Sequence, residues 1–232
     1  MKPRIGIIPG DPGGIGPELI AKLLADPQVH ERADILLIGD RHLFEMGQTQ
    51  ANSQAGTEIA MTGCDARKDD WTSIAGLAIH ERETIAAGDV RLAEVTHANG
   101  HSALSNLNCA LELARDGIID AITFGPFNKA ALIEAGLGHE DELHHMAEFL
   151  GVEGYISELN TLNGIWTSRV SSHIALKEVA GYITEHRITE AVHLIDRTLR
   201  RSGLNRPRLS VAALNPHAGD NGNFGMEEIE VI

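Results

Sequence analysis

The sequence has few cysteines, a shortage of basic residues and no long apolar run, and each shortage excludes a class of protein. Among 232 residues only Cys64 and Cys109 occur, with neither a metal-binding nor a disulfide spacing, which predicts a reducing compartment. A formal net charge of −14 argues against binding to nucleic acid or to anionic membranes. No run could span a bilayer, and the N-terminus is too poor in apolar residues for a signal peptide. We therefore expect a cytoplasmic protein.

The sequence does contain an alternation of short apolar runs and helical patterns. Strands are predicted at 4–8, 34–40, 119–124, 165–171 and 209–214, and those at 34–40, 119–124 and 209–214 are expected to be buried. Helical patterns cover 102–116, with Ser102 as the N-cap and Gly117 as the stop, and 188–202. From about 45 to 100 we expect only short strands and connections. This alternation predicts an α/β fold with a mostly parallel sheet covered by helices on both faces.

Two polar side chains follow predicted strands closely. Asp11 lies in the glycine-rich loop GDPGGIGPE (residues 10–18), between a strand and a helix. Helix N–H groups in this arrangement can face an anion, but the loop fits neither a dinucleotide fingerprint nor a Walker loop. A tight structural turn is the alternative. Lys129 lies just past the strand at 119–124, where it could bind a phosphate or carboxylate, although most lysines are simply solvated.

Histidines mark two further candidate sites. His173 and His217 each follow a predicted strand at its carboxyl end, where open α/β sheets bind ligands. They could share one metal ion, or each could cap its loop by hydrogen bonding. The segment HEDELHHMAE (139–148) places three more histidines among acids. It could bind metal, or it could be an exposed helix start with acids near its positive end.

Four motifs recur along nearly the whole chain: GDPGGIGPE, GPFNKAAL, SSHIALKEV and LNPHAGDNGNFGMEE. In order and spacing they resemble the PdxA family of 4-hydroxythreonine-4-phosphate dehydrogenases and related sugar-acid phosphate dehydrogenases. The resemblance implies an isocitrate/isopropylmalate-dehydrogenase-like α/β fold with two lobes, which we place at 1–124 and 125–232. It also implies a homodimer with active sites at the subunit interface. Such an enzyme oxidises a small hydroxy acid, with or without decarboxylation, using NAD or NADP and a divalent metal.

The resemblance assigns roles to four residues. His173 and His217 match two metal-binding histidines of the family. Imidazole ligands favour zinc, with magnesium, manganese or cobalt as alternatives. Lys129 in GPFNK matches a lysine near the substrate, and Asp11 matches the GDP loop. We expect Lys129 and Asp11 to support catalysis.

The substrate-binding motif of the family, Gly-His-Thr-Glu, falls here on Asp141, Glu142, Leu143 and His144. A carboxylate at the position of a phosphate-contacting imidazole would repel phosphate. Either His144 or His145 contacts the phosphate instead, or the substrate is not the phosphate ester typical of the family.

The sequence reaches Ile232 soon after the NPHAG motif, without the Tyr-His-Asp-Gln-Gly segment that carries the third metal histidine of the family. We therefore expect weak metal binding and no turnover unless a partner supplies that segment. Exposed sheet edges should also favour self-association. The alternative to a dehydrogenase is a non-catalytic protein on the same scaffold, which binds a metal or metabolite or takes part in an assembly.

Overall fold

A computed structural model describes residues 2–52, 59–139, 141–172 and 174–232, with the backbone alone at position 52. His173, a predicted metal ligand, lies outside the described residues. The chain divides into two compact units, Met1–Val152 and Glu153–Ile232. This division differs from the expected lobe boundary at 124/125. The reason is that the two helices following that position pack on a long helix of the first unit.

The first unit is built on a five-stranded parallel sheet. Its strands are β1 (Arg4–Ile8), β2 (Asp34–Gly39), β3 (Met61–Cys64), β4 (Leu77–Glu81) and β5 (Ala121–Phe124), in the order β3-β4-β2-β1-β5. In this register Ile5 of β1 lies between Ile35 and Ala121. Because β2 and β5 pair with opposite sides of β1, the carboxyl ends of β1 and β5 form a topological switch point. Open α/β sheets bind ligands at such points.

Helices cover both faces of this sheet, as the sequence predicts. They are α1 (Gly16–Leu24), α2 (Pro27–Arg32), α3 (Arg41–Asn52), α4 (His97–Arg115), α5 (Lys129–Glu134) and α6 (Glu142–Phe149). Successive side chains of a strand point to opposite faces. Leu37 of β2 therefore packs in the cluster that contains Ile20 and Phe44, whereas Leu36 packs in the cluster that contains Leu107. Both leucines are fully buried, which contributes about 1.5–3 kcal/mol each.

Helix α4 begins before its predicted start. The Thr96 side chain is the N-cap and accepts a hydrogen bond from the Asn99 N–H at 3.1 Å. The prediction of Ser102 as the N-cap is wrong, because Ser102 is buried within the helix and bonds Thr84 through its hydroxyl at 2.7 Å. The predicted end is confirmed, since Gly117 takes a left-handed conformation with φ +70°.

Strand β5 is confirmed as a strand, but the prediction that it is buried is wrong. It is an edge strand of the described sheet and has a neighbour only on the β1 side. Phe124 is consequently 37% exposed, and its ring stacks on Phe127 at 4.8 Å between centroids. The unpaired backbone groups of such an edge are able to pair with another strand.

The second unit contains a two-stranded antiparallel hairpin. Strands β6 (Asn160–Leu162) and β7 (Ile165–Thr167) are joined by Asn163 and Gly164, both left-handed, with φ of +49° and +81°. Asn-Gly is the preferred pair for such a tight turn. The strand predicted at 165–171 is confirmed only over Ile165–Thr167. Thr167 pairs with Asn160, the first residue of β6, so the ladder goes no further.

The helices of the second unit are α7 (Val179–Tyr182), α8 (Glu185–Arg201) and α9 (Glu227–Glu230). Helix α8 confirms the predicted helix at 188–202, with Thr184 as N-cap and Gly203 at φ +102°. Its apolar face lines a cavity of about 1000 Å³. Over the described residues, no helix combines the length and the apolar character needed to cross a membrane.

The prediction of a buried strand at 209–214 is wrong. These residues form no ladder, and Val211 is 51% exposed. The local apolar pattern remains, but no strand within the described residues lies alongside to accept its backbone hydrogen bonds. The segment instead lines the cavity beside α8.

Candidate functional site

Two loops meet at the carboxyl ends of β1 and β5, and their backbones touch. A Cβ atom on Gly10 would lie 2.3 Å from the Gly125 carbonyl oxygen, and one on Gly125 would lie 2.2 Å from the Pro9 carbonyl oxygen. The Asp11 N–H donates to the carbonyl of Pro126 at 3.0 Å. Glycine is required here because any side chain would separate the loops.

Asp11 projects from the first of these loops and is only 7% exposed. Burial raises the pKa of the Asp11 carboxyl, while the Gly13 N–H, at 2.9 Å, and the nearby Asn128 side chain favour the ionised form. A carboxylate with a raised pKa is a better proton acceptor than an ordinary aspartate. Asp11 is therefore a candidate general base.

The second loop supplies Asn128 and Lys129. The Asn128 side-chain oxygen caps α5 by accepting the Ala131 N–H at 3.2 Å. The amide NH₂ is thus available to the Asp11 carboxylate, which the Asn128 side chain helps to keep ionised. Lys129 is the first residue of α5 and is exposed. Its positive charge contributes to lowering the pKa of Asp141. The Lys129 ammonium is thus close to the start of α6.

Helix α6 begins at Asp141, whose carboxylate accepts hydrogen bonds from the His144 N–H at 2.9 Å and from His144 Nδ1 at 2.6 Å. Burial alone raises the pKa of Asp141. The hydrogen bonds from His144 and the charges of His144 and Lys129 outweigh burial and leave the pKa below its ordinary value. The described part of 139–148 is thus a helix start with an acid at its positive end. It has no metal-binding group of three side chains.

The other candidate substrate-binding residues differ in their surroundings. Glu142 Oε2 is shielded from solvent without a hydrogen-bond partner in the described structure, and Leu143 is half-buried. His145 Nε2 bonds Asn108 Oδ1 at 2.7 Å. Burial, and then the charge of His139, lower the pKa of His145 and favour its neutral form. His145 is therefore poorly suited to binding a phosphate.

His217 lies in the second unit, at the start of a turn, and its ring is exposed. The Asn215 side-chain oxygen accepts the N–H groups of His217 at 2.9 Å and of Gly219 at 3.3 Å, and the Asn215 N–H donates to Glu228 at 3.2 Å. These bonds fix the backbone and leave the imidazole available. Since His173 is outside the described residues, its position relative to His217 stays a prediction. No group of three or more potential ligands occurs among the residues that are described.

Asn128 was not singled out from the sequence, although it lies beside Asp11. A signal for its capping role was present, because an asparagine directly before a helical pattern is a typical N-cap. Its proximity to Asp11 depends on the pairing of β1 with β5 and has no local signal.

The parallel sheet defines an α/β protein, and its acid, amide and lysine lie at the edge where sheets of this kind usually bind ligands. The family model described as "Pyridoxal phosphate biosynthetic protein PdxA" matches residues 31–232. The chain belongs to the PdxA family. The fold and the family predicted from the sequence are confirmed.

Curated relatives agree with this assignment. The chain is 46% identical over 230 residues to a protein of Pseudomonas aeruginosa provisionally named 4-hydroxythreonine-4-phosphate dehydrogenase 2, covering 99% of the chain and 67% of the relative. It is 32% identical to the 4-hydroxythreonine-4-phosphate dehydrogenase of Geobacter metallireducens, covering 100% and 67%. A protein of Symbiobacterium thermophilum provisionally named D-threonate 4-phosphate dehydrogenase is 30% identical, with 100% and 68% covered. The chain thus spans about two thirds of the length of these dehydrogenase relatives.

Solved structures show the same fold. The 4-hydroxythreonine-4-phosphate dehydrogenase of Klebsiella pneumoniae superimposes with a TM-score of 0.83 at 27% identity, covering 100% of this chain and 68% of that one. The corresponding protein of Burkholderia phymatum gives a TM-score of 0.80 at 31% identity, covering 100% and 69%.

Proposed function

We propose that the chain is a dehydrogenase of the PdxA type, which uses NAD or NADP and a divalent metal to oxidise a small phosphorylated hydroxy acid. The observation that carries this proposal is the 46% identity over 99% of the chain to a relative named as such a dehydrogenase. The names of the relatives, 4-hydroxythreonine 4-phosphate and D-threonate 4-phosphate dehydrogenases, share one substrate class, a phosphorylated four-carbon hydroxy acid.

Asp11 and Lys129 are the proposed catalytic residues of the first unit. Oxidation of an alcohol to a ketone releases a hydride, which NAD or NADP accepts, and a proton, which needs a base. Asp11 is suited to accept that proton because its carboxylate is buried and its pKa is raised. Lys129 is exposed near the same loops and is suited to hold an anionic group of the substrate.

Glu142, Leu143 and His144 are the proposed substrate-binding residues. The unpartnered Glu142 Oε2 is suited to accept a hydrogen bond from a substrate hydroxyl, since a shielded carboxylate oxygen without a partner is costly. The repulsion expected between the Glu142 carboxylate and a phosphate stays a prediction. The charge of the neighbouring Asp141 is offset, because His144 bonds its carboxylate and the charge of Lys129 helps to lower its pKa. His144 is exposed, whereas His145 bonds Asn108, so His144 is the better candidate for a phosphate contact.

His217 and His173 are the proposed metal ligands of the second unit. The donor chemistry fits at His217, because an exposed imidazole held on a fixed backbone is a good ligand for zinc. When bound, a divalent cation would lower the pKa of a coordinated alcohol. His217→Ala and His173→Ala should each weaken zinc binding in calorimetry, whereas His186→Ala, an exposed histidine on α8, serves as the control. Unchanged affinity in both test variants would remove the metal assignment.

The activity itself is tested by NADH or NADPH formation with zinc, manganese, magnesium or cobalt, over phosphorylated and free hydroxy acids. Release of CO₂ is measured in parallel to test decarboxylation. Asp11→Asn and Lys129→Met should lower the rate by at least about 100-fold, the usual contribution of a general base or an electrostatic contact. Lys68→Met, near the opposite edge of the sheet, is the control. If no substrate of the panel yields NADH or NADPH while metal still binds, the result would favour the non-catalytic alternative.

We further infer that the protein is a cytoplasmic homodimer with its active site at the subunit interface. The exposed edge strand β5 and the exposed side chain of Phe124 support self-association. Light scattering should give a dimer or larger species, and a monodisperse monomer would contradict this inference.

A further inference from the structure

The segment at residues 86–95 closes over the glycine-rich loop that carries Asp11. The Ala93 N–H donates to the Gly13 carbonyl at 2.9 Å. A Cβ atom on Gly13 would lie only 2.2 Å from the Arg91 carbonyl oxygen, so the two backbones are in direct contact. Ala93 itself has φ +58°, an uncommon conformation for alanine that this contact holds in place.

Asn99 fastens this segment from the other side. Its side chain is fully buried in the first turn of α4. The amide Nδ2 donates to the Arg91 carbonyl at 2.8 Å, and Oδ1 accepts the Arg91 N–H at 3.4 Å. The same Nδ2 would lie 2.4 Å from a Cβ on Gly13. One amide thus holds both polar backbone groups of Arg91 against Gly13.

Gly13 connects this arrangement to the candidate base, because its N–H donates to Asp11 Oδ1 at 2.9 Å. We infer that Asn99 is a positioning residue, which holds the Gly13 N–H on the Asp11 carboxylate through the backbone of Arg91. This inference rests on the proposed role of Asp11. It adds a residue that touches no candidate substrate-binding group.

The side chain at position 99 must both donate and accept. Alanine removes both hydrogen bonds, and serine is too short to reproduce the pair. The Arg91 carbonyl and N–H would then lose their partners on Asn99, and the 86–95 segment would loosen from Gly13. The Gly13 N–H would no longer be fixed toward Asp11, which would disfavour the ionised form of that carboxylate.

The test follows the Asp11 carboxyl by NMR titration in Asn99→Ala, with no turnover required. We expect an upward shift of the Asp11 titration midpoint and about fivefold faster amide exchange at Gly13 and Ala93, the factor expected when one ordinary hydrogen bond is lost. If the protein is active, the acid limb of its pH–rate profile should also move to higher pH, as the Asp11 titration midpoint does. Asn99→Ser, which keeps a polar side chain, is the second variant should Asn99→Ala fail to fold.

Asn106→Ala is the matched control. Asn106 is also a fully buried asparagine of α4, but neither atom of its amide has a hydrogen-bond partner in the described structure. It should leave the Asp11 titration unchanged. A folded Asn99 variant with the wild-type Asp11 midpoint would overturn the inference, as would an equal shift in Asn106→Ala. If the midpoint shifts as expected but no hydroxy acid is oxidised, the positioning role stands and the proposed activity fails.

Discussion

Asp40, at the end of β2, provides the sharpest test of how the first unit is held together. The side chain is 2% exposed. Its Oδ1 accepts the Thr84 N–H at 2.7 Å and the Ile85 N–H at 3.2 Å, and its Oδ2 accepts the Thr84 hydroxyl, which is also bonded to the Ser102 hydroxyl. One carboxylate thus ties the connection after β4 to both the sheet and α4.

The size of the effect follows from what each substitution leaves unpaired. Asp40→Ala removes the acceptor of three donors, and each unpaired buried donor costs about 1–3 kcal/mol. Because such terms are not additive, we expect a total near 3–5 kcal/mol. Asp40→Asn keeps an oxygen for the two N–H groups and places an NH₂ group against the Thr84 hydroxyl, which can reorient, so it should cost about 1 kcal/mol.

The assay exploits the two tryptophans, one in each unit. Trp71 is buried in the first unit, and Trp166 lies in β7 of the second. In a Trp166→Phe background, Trp71 fluorescence reports unfolding of the first unit alone. Urea titration should show the loss directly, and Tm should fall by roughly 10 °C for Asp40→Ala, at about 2–4 °C per kcal/mol for a unit of this size. An Asp40→Ala variant within about 1 kcal/mol of wild type would refute the hydrogen-bond reasoning. An Asp40→Asn variant as unstable as Asp40→Ala would show that the charge matters more than the bonds.

Two further predictions concern the ends of β1. The hydrogen bonds from Arg4 lower the pKa of Asp120 to about 2; because the folded pKa is depressed, the stabilisation is present above the unfolded pKa and is lost as pH falls from about 4 toward 2. Asp120→Asn should therefore flatten this acid limb in pH-dependent thermal unfolding, and an unchanged limb would contradict the assignment. Gly125→Ala should destabilise the first unit by about 1–3 kcal/mol in urea unfolding, since its Cβ would lie 2.2 Å from the Pro9 carbonyl oxygen. Gly88→Ala is the control for the glycine effect alone, because no atom lies within 4 Å of its new Cβ and its φ is not positive.

The sequence predicts the elements whose signals are local. The apolar run of β2 is buried on both faces, and α8 has its predicted apolar face and its stop at Gly203. The failures have both local and distant causes. The start of α4 was missed because polar residues after Thr96 hide the pattern, and β5 is exposed because the strand order places it at an edge. The hairpin at Asn163 was missed even though its Asn-Gly turn is a local signal.

Of the candidate site, the sequence predicts the residues that follow strands but not those whose role depends on distant contacts. Asp11 and Lys129 were identified because each follows a predicted strand closely. In the structure they follow β1 and β5, which are neighbours in the sheet. Asn99 has no such signal. From the sequence, Asn99 is only one more polar residue in a helical pattern. Its hydrogen bonds depend on a loop that folds back onto Gly13. Similarly, the role of His144 depends on the capping geometry of Asp141.

The surroundings of Asp11 bear on how an acidic protein could act on the proposed anionic substrate. A fully solvated carboxylate would be a weak base and would also repel the anion. Burial raises the pKa of Asp11 and improves it as a base, while the Gly13 N–H and the Asn128 side chain favour the ionised form. Lys129 then offsets negative charge at the same edge. The net charge of −14 therefore says little about the substrate, because the local balance of these few groups decides what can bind.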